Sequence, residues 1–231
     1  MPSRIIRKTL GLLAIATLVS GAESAAAQTG RIEGTATISR RLITVRQRIR
    51  MYDEPGSTTA RPRLDDHPFA NVVLYLEEVR GGPVLPKGPS EMRQWGERFM
   101  PHVLPVVAGS TVRFPNEDPI YHNVFSLSRA RTFDLGRYAR GSSKNVVFPA
   151  AGLVQVFCHI HADMSGYILV LDNPFFVQPD ENGRFALDGI PPGEYRLVAW
   201  HERARPNVTT VRVTPGRATF LNITIPIVDT P

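Results

Sequence analysis

Leu153-Val154-Gln155-Val156-Phe157-Cys158-His159-Ile160-His161-Ala162-Asp163-Met164 joins two kinds of pattern in one run. Its first half alternates, so a strand through it sets Val154, Val156 and Cys158 on one face, with the sulfur emerging at the end of an apolar row. Its second half brings a thiol, an imidazole and a thioether (Cys158, His161 and Met164) within one loop short enough to wrap a single ion. A further imidazole, His122 in Tyr121-His122-Asn123, arrives from a strand end well upstream.

Two imidazoles and a thiolate in a trigonal plane, with a long and weak thioether bond along the axis, are the ligands of a blue-copper electron-transfer site. On that reading His122, Cys158 and His161 are the strong equatorial ligands and Met164 is the axial ligand of one type 1 copper ion. The apolar row leading to Cys158 keeps water from the sulfur, which suits the tuning of a copper–thiolate bond. Binding keeps such a thiol ionised. Zinc is the rival metal, because Cys, His and His suit it too. A thioether is a poor zinc ligand and a good soft partner for copper, so Met164 favours copper. His159 forms His-x-His with His161, but as the neighbour of Cys158 on a strand it points to the opposite side. His67 and His102 stand at no ligand spacing, and His201, after Trp200, is either a further ligand or an ordinary strand-end histidine.

The segments Phe99-Met100-Pro101-His102-Val103-Leu104-Pro105-Val106, Ala108-Gly109-Ser110-Thr111-Val112-Arg113-Phe114, Asn116-Glu117-Asp118, His122-Asn123-Val124, Gly152 through Met164 and Ile168-Leu169-Val170 resemble the cupredoxin family, most closely its amicyanin and plastocyanin branch. The spacing Cys-x-x-His-x-x-Met is the short ligand loop of amicyanin. The likeness covers residues 92–172 and implies a Greek-key β-sandwich that carries single electrons by cycling Cu(II) and Cu(I). It further implies that His161 presents its far edge to solvent as the electron port, and that Asn123 ties the two ligand loops together. The partner it implies is another redox protein, bound transiently through a small surface. Four ligands leave no open coordination position, and no second cluster is in view, so an enzyme is the least favoured class. The competing function is a copper-binding structural or adaptor protein.

Residues 1–27 read as a secretory signal: Arg4, Arg7 and Lys8, then an apolar core from Leu10 to Val19, then Ala25-Ala26-Ala27 as a cleavage site. The core is too short to span a bilayer, so no stable membrane insertion is expected. Export with copper chemistry points to a periplasm. The chain has one cysteine, which rules out an internal disulfide in a compartment that favours them and asks for a protected use of that thiol. Of 27 Lys/Arg and 21 Asp/Glu, the signal holds three and one, leaving a modest basic excess. Arg40, Arg41, Arg46, Arg48 and Arg50 concentrate it near the mature N-terminus. Nucleic acid is excluded by export and by the lack of any matching motif; an acidic redox partner, steered electrostatically, fits.

The rest reads as strands, at 31–39, 72–77, 111–114, 145–148, 154–158, 167–171, 184–187, 195–200, 210–214 and 218–226, with no long helical period. Residues 47–68 and 81–96 are polar interruptions, the second with a short helix around 91–98. The fold class is therefore all-β. The C-terminal part, Asp180-Glu181-Asn182-Gly183-Arg184-Phe185-Ala186-Leu187 and then Gly189-Ile190-Pro191-Pro192-Gly193-Glu194-Tyr195-Arg196-Leu197-Val198-Ala199, resembles the carboxypeptidase regulatory-like, transthyretin-like family, a small non-catalytic β-sandwich. Asn182-Gly183 is a hairpin signal there. Gly30-Arg31-Ile32-Glu33-Gly34-Thr35-Ala36 and Asn71-Val72-Val73-Leu74-Tyr75-Leu76-Glu77 resemble the first two strands of the same family. Two layouts follow. In one, residues 28–91 and 173–231 form a discontinuous sandwich into which a cupredoxin domain, 92–172, is inserted. In the other, a cupredoxin of residues 28–172 precedes a C-terminal sandwich of 173–231.

Overall fold

A computed structural model describes residues 28–39, 67–79 and 88–226. The proposed signal, the arginines from 40 to 50, nearly all of the first polar interruption and residues 81–87 of the second lie outside those residues. Every regular element described is a strand. In chain order they are β1 (Gly30–Ile38), β2 (Val73–Glu77), β3 (Ser90–Glu91), β4 (Arg93–Gln94), β5 (Phe99–Met100) and β6 (Val103–Val107). Then come β7 (Thr111–Pro115), β8 (His122–Ser128), β9 (Arg131–Tyr138), β10 (Ser143–Val147), β11 (Gly152–Phe157) and β12 (Ser165–Leu171). The last are β13 (Phe176–Val177), β14 (Arg184–Ile190), β15 (Gly193–Trp200), β16 (Asn207–Val213) and β17 (Ala218–Ile225). Among the described residues no helix is long and apolar enough to cross a membrane.

Period-two burial builds two cores. Sheets β10-β7-β3 and β6-β12-β11-β8-β9 enclose Phe114, Val124, Phe148, Val154, Val156, Ile168 and Val170 together with Cys158 and Met164. Sheets β14-β1-β17 and β13-β2-β15-β16 enclose Ile32, Leu74, Leu76, Leu187, Leu197, Val211 and Ile223. The row Val72/Leu74/Leu76 thus meets Leu197 and Ala199 inside one core, with Tyr195 packed on it. β1 runs parallel to β17 with Gly34 opposite Leu221, and a Cβ on Gly34 would sit 1.7 Å from the Leu221 carbonyl oxygen. Only glycine lets the two backbones approach so closely. Between the cores lies a third cluster: Val73 and Trp200 from β2 and β15 against Val103, Leu169 and Leu171 from β6 and β12.

Two local expectations are corrected. The helix expected around 91–98 is instead β3 and β4. Ser90 and Glu91 pair with Val112 and Arg113, Arg93 and Gln94 pair with Met100 and Phe99, and Gly96 and Glu97 turn left-handed at φ 63° and 57°. Met92 and Gln94 are buried while Arg93 is exposed, a strand period that buries alternate residues against the core. Asn182-Gly183 does form a turn, with Gly183 at φ 79°, but not a hairpin. The strands on either side join different sheets, β13 with β2 and β14 with β1, because each completes a different face of the core.

Candidate metal centre

Strand ends bring the donors together. β8 opens on His122, β11 delivers Cys158 one residue past its end, and β12 begins one residue after Met164. The loop between is closed by its own backbone: Met164 N–H donates to the His161 carbonyl at 3.0 Å, and Cys158 N–H donates to the Met164 carbonyl at 3.2 Å. His122, Cys158 and His161 form a group whose ligand atoms all lie within 4.8 Å of one another. His122 Nδ1 and His161 Nδ1 are 3.1 Å apart, and Cys158 Sγ lies 3.8 Å from the first and 3.9 Å from the second. The centre of that triangle is about 2.1 Å from each corner, close to the metal–nitrogen and metal–sulfur bond lengths of roughly 2.0–2.3 Å. The residues therefore fit a metal ion. Met164, 1% exposed, packs in the same apolar cluster as Cys158, and His122 is fully buried.

His161 is half-buried whereas His122 and Cys158 are buried, so the downstream imidazole is the donor nearest solvent. His159 turns away from the group. Its ring stacks on Phe125 with centroids 3.8 Å apart, its N–H donates to Asn123 Oδ1 at 2.7 Å, and its Nδ1 faces Asn123 Nδ2 at 3.2 Å. Asn123, next to one candidate ligand, thus holds the backbone next to another. His102 packs edge-on against Tyr167, and His201 accepts the Arg203 N–H at 3.0 Å; neither joins the group.

One residue near the donors had no role in the sequence reading. Asp118 Oδ2 lies 2.8 Å from His122 Nε2. Burial pushes the Asp118 carboxyl up, but N–H bonds from Glu97 and Gly96 and the imidazole of His122 outweigh it and hold the group below the usual carboxylate range. The only signal in sequence is its place four residues before His122, and spacing alone does not show that the two side chains meet. Tyr138 closes the other flank. Its hydroxyl accepts from Gln94 Nε2 at 2.5 Å and donates to the Phe114 carbonyl at 3.0 Å, and burial pushes its phenol well above the ordinary range.

No protein-family model matches the chain, and no curated protein does. Solved structures do. A copper-containing nitrite reductase (NirK) from Thermus scotoductus SA-01 is 26% identical over 38% of this chain, with TM-score 0.34; the chain spans 25% of that protein's length. A purple cupredoxin from Nitrosopumilus maritimus is 22% identical over 35% of this chain and 98% of its own, with TM-score 0.33. A reduced amicyanin variant is 17% identical over 42% of this chain and 97% of its own, with TM-score 0.35.

Proposed function

We propose that this chain is a type 1 copper protein that carries single electrons, with His122, Cys158 and His161 as equatorial ligands and Met164 as the axial one. The observation that carries the reading is the triangle of two imidazole nitrogens and one thiol sulfur, preassembled at bonding radius beside a buried thioether. Copper supplies the Cu(II)/Cu(I) couple. The protein supplies a site whose donors hold one geometry for both states, because a packed apolar core and a backbone-closed loop leave them little freedom. Zinc would accept the same Cys and His donors, and the thioether again favours copper.

His161 is the port, being the donor nearest solvent. Trp95, Ile120, Tyr121 and Ile160 are large exposed hydrophobic residues on the loops that carry or brace the ligands, and they offer a small apolar surface for a redox partner. The partner we infer is an acidic protein, and the compartment a periplasm reached through a cleaved signal of residues 1–27. We further propose that residues 92–172 are a cupredoxin domain inserted into a transthyretin-like sandwich of 28–91 and 173–231. The pairing of β1 with β14 and β17, and of β2 with β13 and β15, supports insertion over the tandem layout.

The deciding experiment is an optical spectrum of the mature protein with Cu(II) added. One copper per chain and an intense visible thiolate-to-copper band are expected, and Cys158→Ser abolishes the band. A variant that stays blue would overturn the reading.

A further inference from the structure

A buried carboxylate is costly unless its oxygens are bonded. Asp118, 5% exposed, has every need met. Oδ1 accepts the N–H of Gly96 at 2.6 Å, and Oδ2 accepts the N–H of Glu97 at 2.8 Å and meets His122 Nε2 at 2.8 Å. The two amides come from consecutive left-handed residues, and Glu97 is uncommon in that region because it is not glycine. Such backbone persists where the surroundings hold it. Asn116 secures the same segment: its Oδ1 accepts the Asp118 N–H at 3.0 Å, and its Nδ2 donates to the carbonyls of Ile120 at 2.9 Å and Tyr138 at 3.0 Å.

An ionised carboxylate can only accept, so the His122 ring donates a proton from Nε2 to Asp118, and Nδ1 is the nitrogen left facing His161 Nδ1 and Cys158 Sγ. We propose that Asp118 is a positioning residue of the metal centre. Through Nε2 it fixes the tautomer and orientation that present Nδ1 as a ligand, and its negative charge, one imidazole away from the ion, favours the more highly charged metal state. The first half of this proposal needs no copper; the second rests on the copper reading above.

The test uses the full mature chain and three measurements. Nitrogen-15 NMR of the metal-free protein should show a proton on His122 Nε2. Zn(II) affinity, measured by competition with a chelator, should fall about 10–100-fold in Asp118→Asn, the usual loss when a ligand's outer partner is changed. The copper potential of that variant should rise, by 59 mV for each tenfold by which Cu(II) is weakened more than Cu(I). A wild-type ring with a proton on Nδ1 and none on Nε2 overturns the proposal whether or not any variant folds. So does a folded Asp118→Asn that keeps its Zn(II) affinity and its potential. A wild-type protein that takes no copper, yet shows the Nε2 proton and the Zn(II) loss, refutes the copper reading and leaves the positioning role standing.

Discussion

The indole of Trp200 meets the ring of Tyr167 edge-on, with centroids 6.1 Å apart and planes at 65°. Trp200 ends β15 and Tyr167 lies in β12, so the contact bridges the two sheet systems. Along β12 the inward residues Ile168 and Val170 belong to the core that holds Cys158, while Leu169 and Leu171 face the other way, toward Val73 and Trp200. The core that holds Cys158 and the boundary cluster thus lie on opposite faces of the sheet that contains β12.

Trp200→Ala removes a large ring from that shared boundary and should cost about 3–5 kcal/mol of stability, the usual range for a buried aromatic. Urea unfolding measures it. The copper band should survive in the folded variant, because the lost contact lies on the far face of β12. Bleaching without unfolding would show instead that the boundary supports the ligands directly.

Gly34→Ala should disrupt the sandwich built from β1 and β17, since its Cβ meets backbone rather than a side chain that could move. The chain has two tryptophans, Trp95 beside the metal loops and Trp200 in the boundary cluster, so in a Trp95→Phe background fluorescence reports on the boundary and colour on the metal loops. The expected result is a second core that unfolds at much lower urea than the copper band is lost. A variant as stable as the wild type would contradict the parallel pairing of β1 with β17.

His201 makes stability depend on acid. Burial, then the nearby Arg203 and His102, push its imidazole down to about 4. Glu202 Oε2 lies 3.4 Å from Nε2, too far for a strong bond that would offset burial. Above about pH 6.5 the ring is neutral in both folded and unfolded chains and contributes nothing. Below it the unfolded chain takes up a proton that the folded chain refuses, so stability falls between pH 6.5 and about 4, by roughly 3 kcal/mol in all. Comparing urea midpoints of wild type and His201→Gln at pH 7.0, 5.5 and 4.5 isolates this term. Parallel curves would rule it out.

On the proposed copper reading, with Met164 as the axial ligand, Met164→Gln should keep the copper and its colour while shifting the reduction potential, because an axial ligand tunes the couple. Voltammetry of both proteins measures the shift. Complete loss of copper would mean that Met164 is not a weak axial ligand.

Much of this was readable in the chain. The ligand loop is local: Cys158, His161 and Met164 fall together by spacing alone, and the row Val154/Val156/Cys158 follows from strand alternation. The apolar strands β1, β2, β12, β15 and β17 were legible for the same reason. β9 was not, since Arg131-Thr132-Phe133-Asp134-Leu135-Gly136-Arg137-Tyr138 has only Phe133, Leu135 and Tyr138 among charges, and Gly136 interrupts it at φ 64°. The segment 91–98 failed because its period-two burial depends on Val112, Arg113, Phe99 and Met100 lying alongside.

Residue types and spacing by themselves determined the donor chemistry, a soft thiolate and thioether with two imidazoles, and an all-β chain to hold it. Which nitrogen of His122 faces the other donors was decided only in three dimensions. It depends on Asp118, and Asp118 in turn on the amides of Gly96 and Glu97, groups that meet once separate loops close over the sheet. Strand pairing was decided there too: nothing local in Gly34 names Leu221 as its neighbour, because strand register is set by burial and by partners distant in the chain.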